Sequence, residues 1–201
     1  MTTIAQASPR RMGPAGSANW SAMLQGAVDI LRDEGYGALT SRRVAERIGV
    51  KQRLVYYYFP TMDQLIVEAF QWLAKRDLER LTTALQSERP LREIWDVCIH
   101  TTDGRLISEF MALANRIEDL RSEVITFIEQ SRKMQTAALV KAIGKTKSAS
   151  KVPPAAIALF ATSIALALTR ETELGVSLGH RDAMKTIEQF MKEYEPAPKK
   201  R

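Results

Sequence analysis

The sequence predicts an all-α chain of about nine helices, a small N-terminal three-helix unit followed by a larger helical body. Three observations carry that expectation. Apolar residues recur at three- and four-residue spacing along most of the chain, and no stretch alternates polar with apolar as a half-buried strand would. Glycine and proline fall at the ends of the periodic runs. At 201 residues and 45% hydrophobic content, the chain is long enough for one or two small domains with real cores.

Residues 1–18 carry Pro9, Gly13, Pro14, Gly16 and Ser17 without periodicity and predict a flexible basic arm. Trp20, Leu24, Ala27, Val28 and Leu31 then recur at helical spacing, with Asn19 as the cap of this first helix. It stops at Gly35-Tyr36-Gly37, where glycine accepts positive φ. Thr40 or Ser41 caps a short second helix that turns Val44, Ala45 and Ile48 inward, and Gly49 ends it. A third helix opens at Val50. Its inward residues are Leu54 and Tyr58 or Phe59, while Lys51, Gln52, Arg53, Tyr56 and Tyr57 fall on the other face. Pro60 disfavours helical geometry at Phe59, so a new helix starts near Thr61. Residues 19–64 thus form one predicted unit.

The second unit, residues 65–195, begins on a long stripe of Leu65, Ile66, Ala69, Phe70, Leu73, Leu78 and Leu81 that reaches Ser87 before Arg89 and Pro90 break it. Further helices are predicted over 91–102, 105–115 and 118–143, the last ending at Gly144 before a polar loop over 145–152. Pro153 and Pro154 suit the first turn of a long apolar helix reaching Leu174. Thr162 and Ser163 interrupt its apolar run, which falls short of the roughly 20 residues a bilayer needs, so it reads as a buried helix and no membrane is predicted. Ala183, Met184, Ile187, Phe190, Met191 and Tyr194 mark the last helix, and residues 196–201 form a basic tail.

The formal net charge is +6, and residues 1–60 hold eight lysines and arginines against four acids. A basic head on a near-neutral body suggests a polyanion partner at one end. One cysteine, Cys98, cannot form an intrachain disulfide, and Met1 to Pro14 lacks the apolar stretch of a secretory signal. A reducing cytoplasm fits best. Two histidines and one cysteine supply no metal-ligand spacing, so no metal and no cofactor is expected.

Two short helices separated by a turn at Gly49, after a first helix and before a long one, match a helix-turn-helix, in which the later helix enters the major groove of double-stranded DNA. That groove demands donors and acceptors. Arginine or lysine pairs with guanine O6 and N7, and glutamine with adenine N6 and N7. Lys51, Gln52 and Arg53 offer that chemistry consecutively. Tyr56 and Tyr57 add hydroxyls for phosphate oxygens, and Thr40 and Ser41 stand at a helix N-terminus, where free N–H groups favour a phosphate.

The stretch from Gly35 to Val50, together with Leu54-Val55-Tyr56-Tyr57-Tyr58-Phe59-Pro60 and Leu65, resembles the N-terminal domain of TetR-family repressors, and the likeness covers about residues 19–70. The resemblance implies that Tyr56 contacts backbone phosphate, that Thr40 binds phosphate, that Arg42 reaches a base in some members, and that Lys51, Gln52 and Arg53 are the variable readers. Where the family usually carries lysine two residues beyond Pro60, this chain has Met62; Arg43, or Arg10 and Arg11 in the arm, can compensate.

The resemblance further implies a homodimer built from the last two helices, with Ala161, Ile164, Ala165, Leu168, Ile187 and Phe190 at the seam. A small hydrophobic effector is implied as well. Trp95, Ile99, Phe110, Met111, Phe127, Met134 and Phe160 could line its pocket or fill a closed core. Such an effector would displace the long helix after Pro60 and release the protein from its operator; an activator, or a regulator without a ligand, is the alternative of the same fold. No catalytic residue is expected. Gly175-Val176-Ser177-Leu178-Gly179 fits a hydrolase elbow, but a helix precedes it and no acid separates Ser177 from His180.

Overall fold

The computed structural model describes residues 14–100, 103–144 and 152–196. Most of the predicted arm with Arg10 and Arg11, residues 145–151 of the predicted loop, and residues 197–201 of the tail lie outside the described residues. Among the described residues there are nine α-helices, one 3-10 turn and no strand. The chain divides into two compact units, residues 1–69 and 70–201, with the division inside α4 (Met62–Gln86).

The first unit contains α1 (Ala18–Glu34), α2 (Ser41–Ile48), α3 (Gln52–Tyr58) and the start of α4. Ser17, not Asn19, caps α1: its hydroxyl accepts from the Trp20 amide at 3.3 Å, and Asn19 stands exposed in the first turn. The helix ends on Gly35 at φ 78°, whose amide donates back to the Ile30 carbonyl. Thr40 caps α2 by accepting from the Arg43 amide at 3.1 Å, and Gly49, at φ 71° and ψ 34°, closes it. Close approach of α1 to α2 depends on Gly26, where a Cβ would lie 2.8 Å from Ile48 Cγ2. Leu24, Val28, Leu31, Val44, Leu65 and Ile66 close the core over these helices.

The inward side of α3 differs from expectation. Because the helix begins at Gln52, Val55 and Tyr58 share the core side with Phe59 behind them, and Leu54 is only half-buried. Phe59 is extended, as its place before Pro60 requires. Thr61 then caps α4 by accepting from the Gln64 amide at 3.1 Å.

The second unit packs α5 (Pro90–His100), α6 (Gly104–Ala114), α7 (Glu118–Ile143), α8 (Pro154–Glu173) and α9 (His180–Tyr194) with the rest of α4. Leu81, Leu91, Ile94, Ala138, Leu139 and Ala158 form one buried cluster, and Phe70 meets Phe110 and Phe127 edge-on at 5.3 and 5.9 Å. Two helix starts are capped from far along the chain. Glu195 accepts from the Leu91 and Arg92 amides at the start of α5, both at 3.0 Å, and Glu173 accepts from the Gly104 amide at 2.9 Å.

The α8 helix is not the buried helix expected. It runs 20 residues, so length alone no longer argues against a bilayer span, and its most apolar 18-residue window has a mean hydropathy of 1.3 with 17% of it buried. Alternate turns explain this: Ala158, Ala165 and Leu168 face inward, whereas Leu159 and Phe160 are 48% and 56% exposed. Ala165 and Leu168, expected at a subunit seam, are thus spent inside the fold.

Candidate nucleic-acid interface and cavities

The outer side of α3 is built on Val55, Tyr58 and Phe59, which fix it to the core of the first unit. The Ser17 hydroxyl donates to the Tyr58 hydroxyl at 3.1 Å, and Trp20 Nε1 donates to Glu68 Oε2 at 2.7 Å. On that base Lys51, Arg53, Tyr56 and Tyr57 point outward and are exposed. Lys51 terminates the helix as its N-cap residue without a side-chain cap bond. The side chains of Lys51, Arg53 and Tyr56 form no hydrogen bond or ion pair with another described residue, so their polar groups are open to an outside partner.

The other expected contact residues are more engaged. Gln52 Nε2 donates to Ser41 Oγ at 2.9 Å, and Ser41 is only 4% exposed, so its hydroxyl is covered by the fold; its backbone N–H remains as a donor at the start of α2. Thr40 is exposed, and its capping oxygen is an acceptor, which leaves its O–H proton for an outside partner. Arg42 pairs with Glu46 at 2.8 Å while staying 80% exposed on its side chain. Arg43 grips Glu34 with Nε and Nη2 at 2.9 and 2.8 Å, and Arg47 pairs with Asp33. The Arg43 hydrogen bond holds the Glu34 carboxyl below its ordinary value. Arg43 and Arg47 therefore clasp α2 to the end of α1. The acids Asp33 and Glu34 were legible only as charge balance, although their position nine and more residues before these arginines is where a helix pair would meet.

The hollows of the second unit include two largely apolar, partly open cavities. One, about 420 Å³, lies among α4, α5, α6, α7 and α8 and takes Phe110, Met111 and Phe127 from the expected lining. The other, about 320 Å³, lies among α5, α7, α8 and α9 and takes Trp95 and Phe160, together with Ala161, Ile164, Ile187 and Phe190. Ile99 and Met134, expected in the lining, are in neither: Met134 packs against the Ala138 and Leu139 cluster, and Ile99 is rotated one residue past Cys98 on α5. Sequence reading missed the polar lining, Asp77, Cys98, Ser131, Arg132, Gln135, Thr162 and Arg170. Each sits within an otherwise apolar helical stripe, which is the available signal.

Burial, and secondarily the Asp77 charge, push the Cys98 thiol up to about 11. Native Cys98 should therefore react with iodoacetamide at pH 8 about a hundredfold more slowly than in denaturant, since the thiolate is the nucleophile. Equal rates would show that the thiol is neither buried nor perturbed. The Gly175 to Gly179 segment joins α8 to α9 without a strand before it, and His180 Nε2 is paired with Glu171 Oε2 at 2.8 Å. Among the described residues no group of three His, Cys, Asp or Glu side chains is placed to hold a metal.

Residues 23–69, from the middle of α1 into α4, match the family described as bacterial regulatory proteins, tetR family. The first unit therefore carries a TetR-family DNA-binding domain. With that helix-turn-helix domain the chain is a DNA-binding transcriptional regulator. A curated relative, the uncharacterized HTH-type transcriptional regulator YdeS of Bacillus subtilis, is 24% identical over 141 residues, 66% of this chain and 68% of the relative. The fold of a TetR transcription regulator from Haloarcula marismortui is similar, with a TM-score of 0.70 at 20% identity over 87% of this chain and 95% of that one. A transcriptional regulator from Saccharomonospora viridis, solved in complex with choline, reaches a TM-score of 0.74 at 14% identity, again over 87% and 95%.

Proposed function

We propose that this protein is a cytoplasmic homodimeric TetR-family repressor that α3 seats in the major groove of its operator and that a small effector releases. The observation that carries the reading is the exposed, unpartnered set Lys51, Arg53 and Tyr56 on a helix whose opposite side is locked into the core. Lys51 and Arg53 address base edges; Thr40, Tyr56, Tyr57 and the Ser41 amide address phosphates; Arg42 can leave its exposed partner to join either group. Gln52 must first give up Ser41, so its net contribution is smaller than that of Arg53. Arg43 holds the clasp to α1 and acts on DNA only by exchanging Glu34 for phosphate.

On the correct upstream DNA, Arg53→Ala should weaken binding by about 1 to 3 kcal/mol and do little on random duplex. Equal losses on both would point to a DNA-binding protein without sequence preference. Effector release is a difference in affinity between two states of the protein, and it is tested by adding candidate ligands to the operator complex.

Dimerisation is supported by α8, whose apolar face with Leu159 and Phe160 is uncovered in the single chain. A seam on that face replaces one that used Ala165 and Leu168. The double substitution Leu159→Glu with Phe160→Glu should give a monomer by light scattering and weaken operator binding at least tenfold, because the two half-sites are then engaged independently. A dimer that survives both charges would move the seam elsewhere.

A further inference from the structure

The two cavities of the second unit share one partition. Cys98, Gln135 and Thr162 line both. The Thr162 hydroxyl donates to Gln135 Oε1 at 2.9 Å, and Gln135 Nε2 donates to Cys98 Sγ at 3.7 Å. Both links are cheap to surrender. Thr162 has a single proton and also contacts the Ala158 carbonyl at 2.8 Å, while a thiol sulfur is a weak acceptor. The partition is therefore a gate of side chains, held by these two links.

The two sides differ in chemistry. Beyond the gate, the space of about 320 Å³ is walled by apolar groups such as Ile94, Trp95, Ile157 and Phe190. On the near side, α7 presents Ser131 and Arg132. Ser131 is 8% exposed and its Oγ has no hydrogen-bond partner, an unusual state for a buried hydroxyl. Arg132 forms no ion pair with a described residue. Two adjacent unmet donors ask for one anionic acceptor. The three phenylalanines would also suit a cation, but Asp77, the acid in that lining, is already paired with Arg80 at 3.2 Å.

We propose that the two cavities are halves of one site for an aliphatic carboxylic acid, whose carboxylate accepts from Ser131 and Arg132 and whose chain passes Gln135 to lie beside Trp95. This rests on the effector-controlled reading above and narrows it to a ligand class. Arg132 also borders the groove between α7 and α8 that opens to solvent, which gives the charged head a route in.

Calorimetry on the full chain, without DNA, tests the head with dodecanoate, hexanoate and dodecyltrimethylammonium. Dodecanoate should bind tightest, gaining up to about fourfold per methylene over hexanoate. Ser131→Ala and Arg132→Gln should each weaken it about tenfold, with unchanged circular dichroism. Trp95 reports the tail in the unmodified chain: 12-bromododecanoate should quench its fluorescence, 2-bromododecanoate should not, and Trp95→Phe should abolish the difference. Tighter binding of the ammonium ligand, equal binding of the two acids, equal quenching by the two bromides, or no binding at all would overturn the proposal. Dodecanoate that binds without loosening the operator complex would leave this site standing and remove the acid as effector. Release by another compound, with dodecanoate inert, would do the reverse.

Discussion

Phe59→Ala should cost the N-terminal unit about 3–5 kcal/mol, enough to take most of the stability of so small a core. Phe59 is 1% exposed and leads the fully buried side chains of the described residues in size. Its ring sits 6.4 Å from that of Tyr58, at the end of α3, and its backbone is held extended by Pro60. Truncation leaves a cavity under the reading helix that α3 cannot collapse into, because Val55 already fills the next turn. Operator binding should fall with the fold and return on cooling, unlike the loss from Arg53→Ala, which leaves the melting curve in place. Phe59→Leu, which refills most of the space, should recover more than half the stability. Chemical denaturation followed by α1–α3 amide exchange measures this; a loss under 1 kcal/mol would mean that Phe59 is not the keystone of that core.

The helices of the first unit were readable because local chemistry and tertiary packing agree there. Gly35 and Gly49 take the positive φ that their turns need, Thr40 caps α2, and Pro60 ends the reading helix. What misled was the facing of individual residues. A seven-residue helix offers too few turns to fix its phase from sequence, so a start at Gln52 rather than Val50 exchanges Leu54 for Val55 in the core. The long helices of the second unit were equally legible as helices, but apolar periodicity does not distinguish a face turned to the subunit interior from one left for a partner. In α8 both faces are apolar, and only packing shows that Ala165 and Leu168 point inward while Leu159 and Phe160 do not. The polar lining of the cavities was hidden for a related reason. Ser131 and Gln135 interrupt the apolar stripe of α7, and their burial depends on α5 and α8 arriving from elsewhere in the chain.

The capping of α5 lies furthest from sequence legibility, since Glu195 meets Leu91 and Arg92 across more than a hundred residues. Glu195 is 8% exposed, and its carboxylate satisfies two amides of a helix N-terminus, where the helix dipole also favours negative charge. Glu195→Ala should therefore cost about 2–4 kcal/mol, because both N–H groups lose their acceptor in a place water does not reach. Glu195→Gln keeps one strong acceptor and should lose about half as much. The neighbouring pair of Arg92 and Glu188, though bidentate at 2.7 and 2.9 Å, is largely solvated, and Glu188→Ala should change little. The contrast separates capping from simple charge attraction between α5 and α9. It also has a functional consequence, since α5 carries Ile94, Trp95 and Cys98 to the apolar cavity. Fraying of its first turn should raise amide exchange at Leu91 and Arg92 and loosen any ligand held there before the whole unit melts. Unchanged melting in Glu195→Ala, with those two amides still protected, would show that the end of α9 does not hold the start of α5.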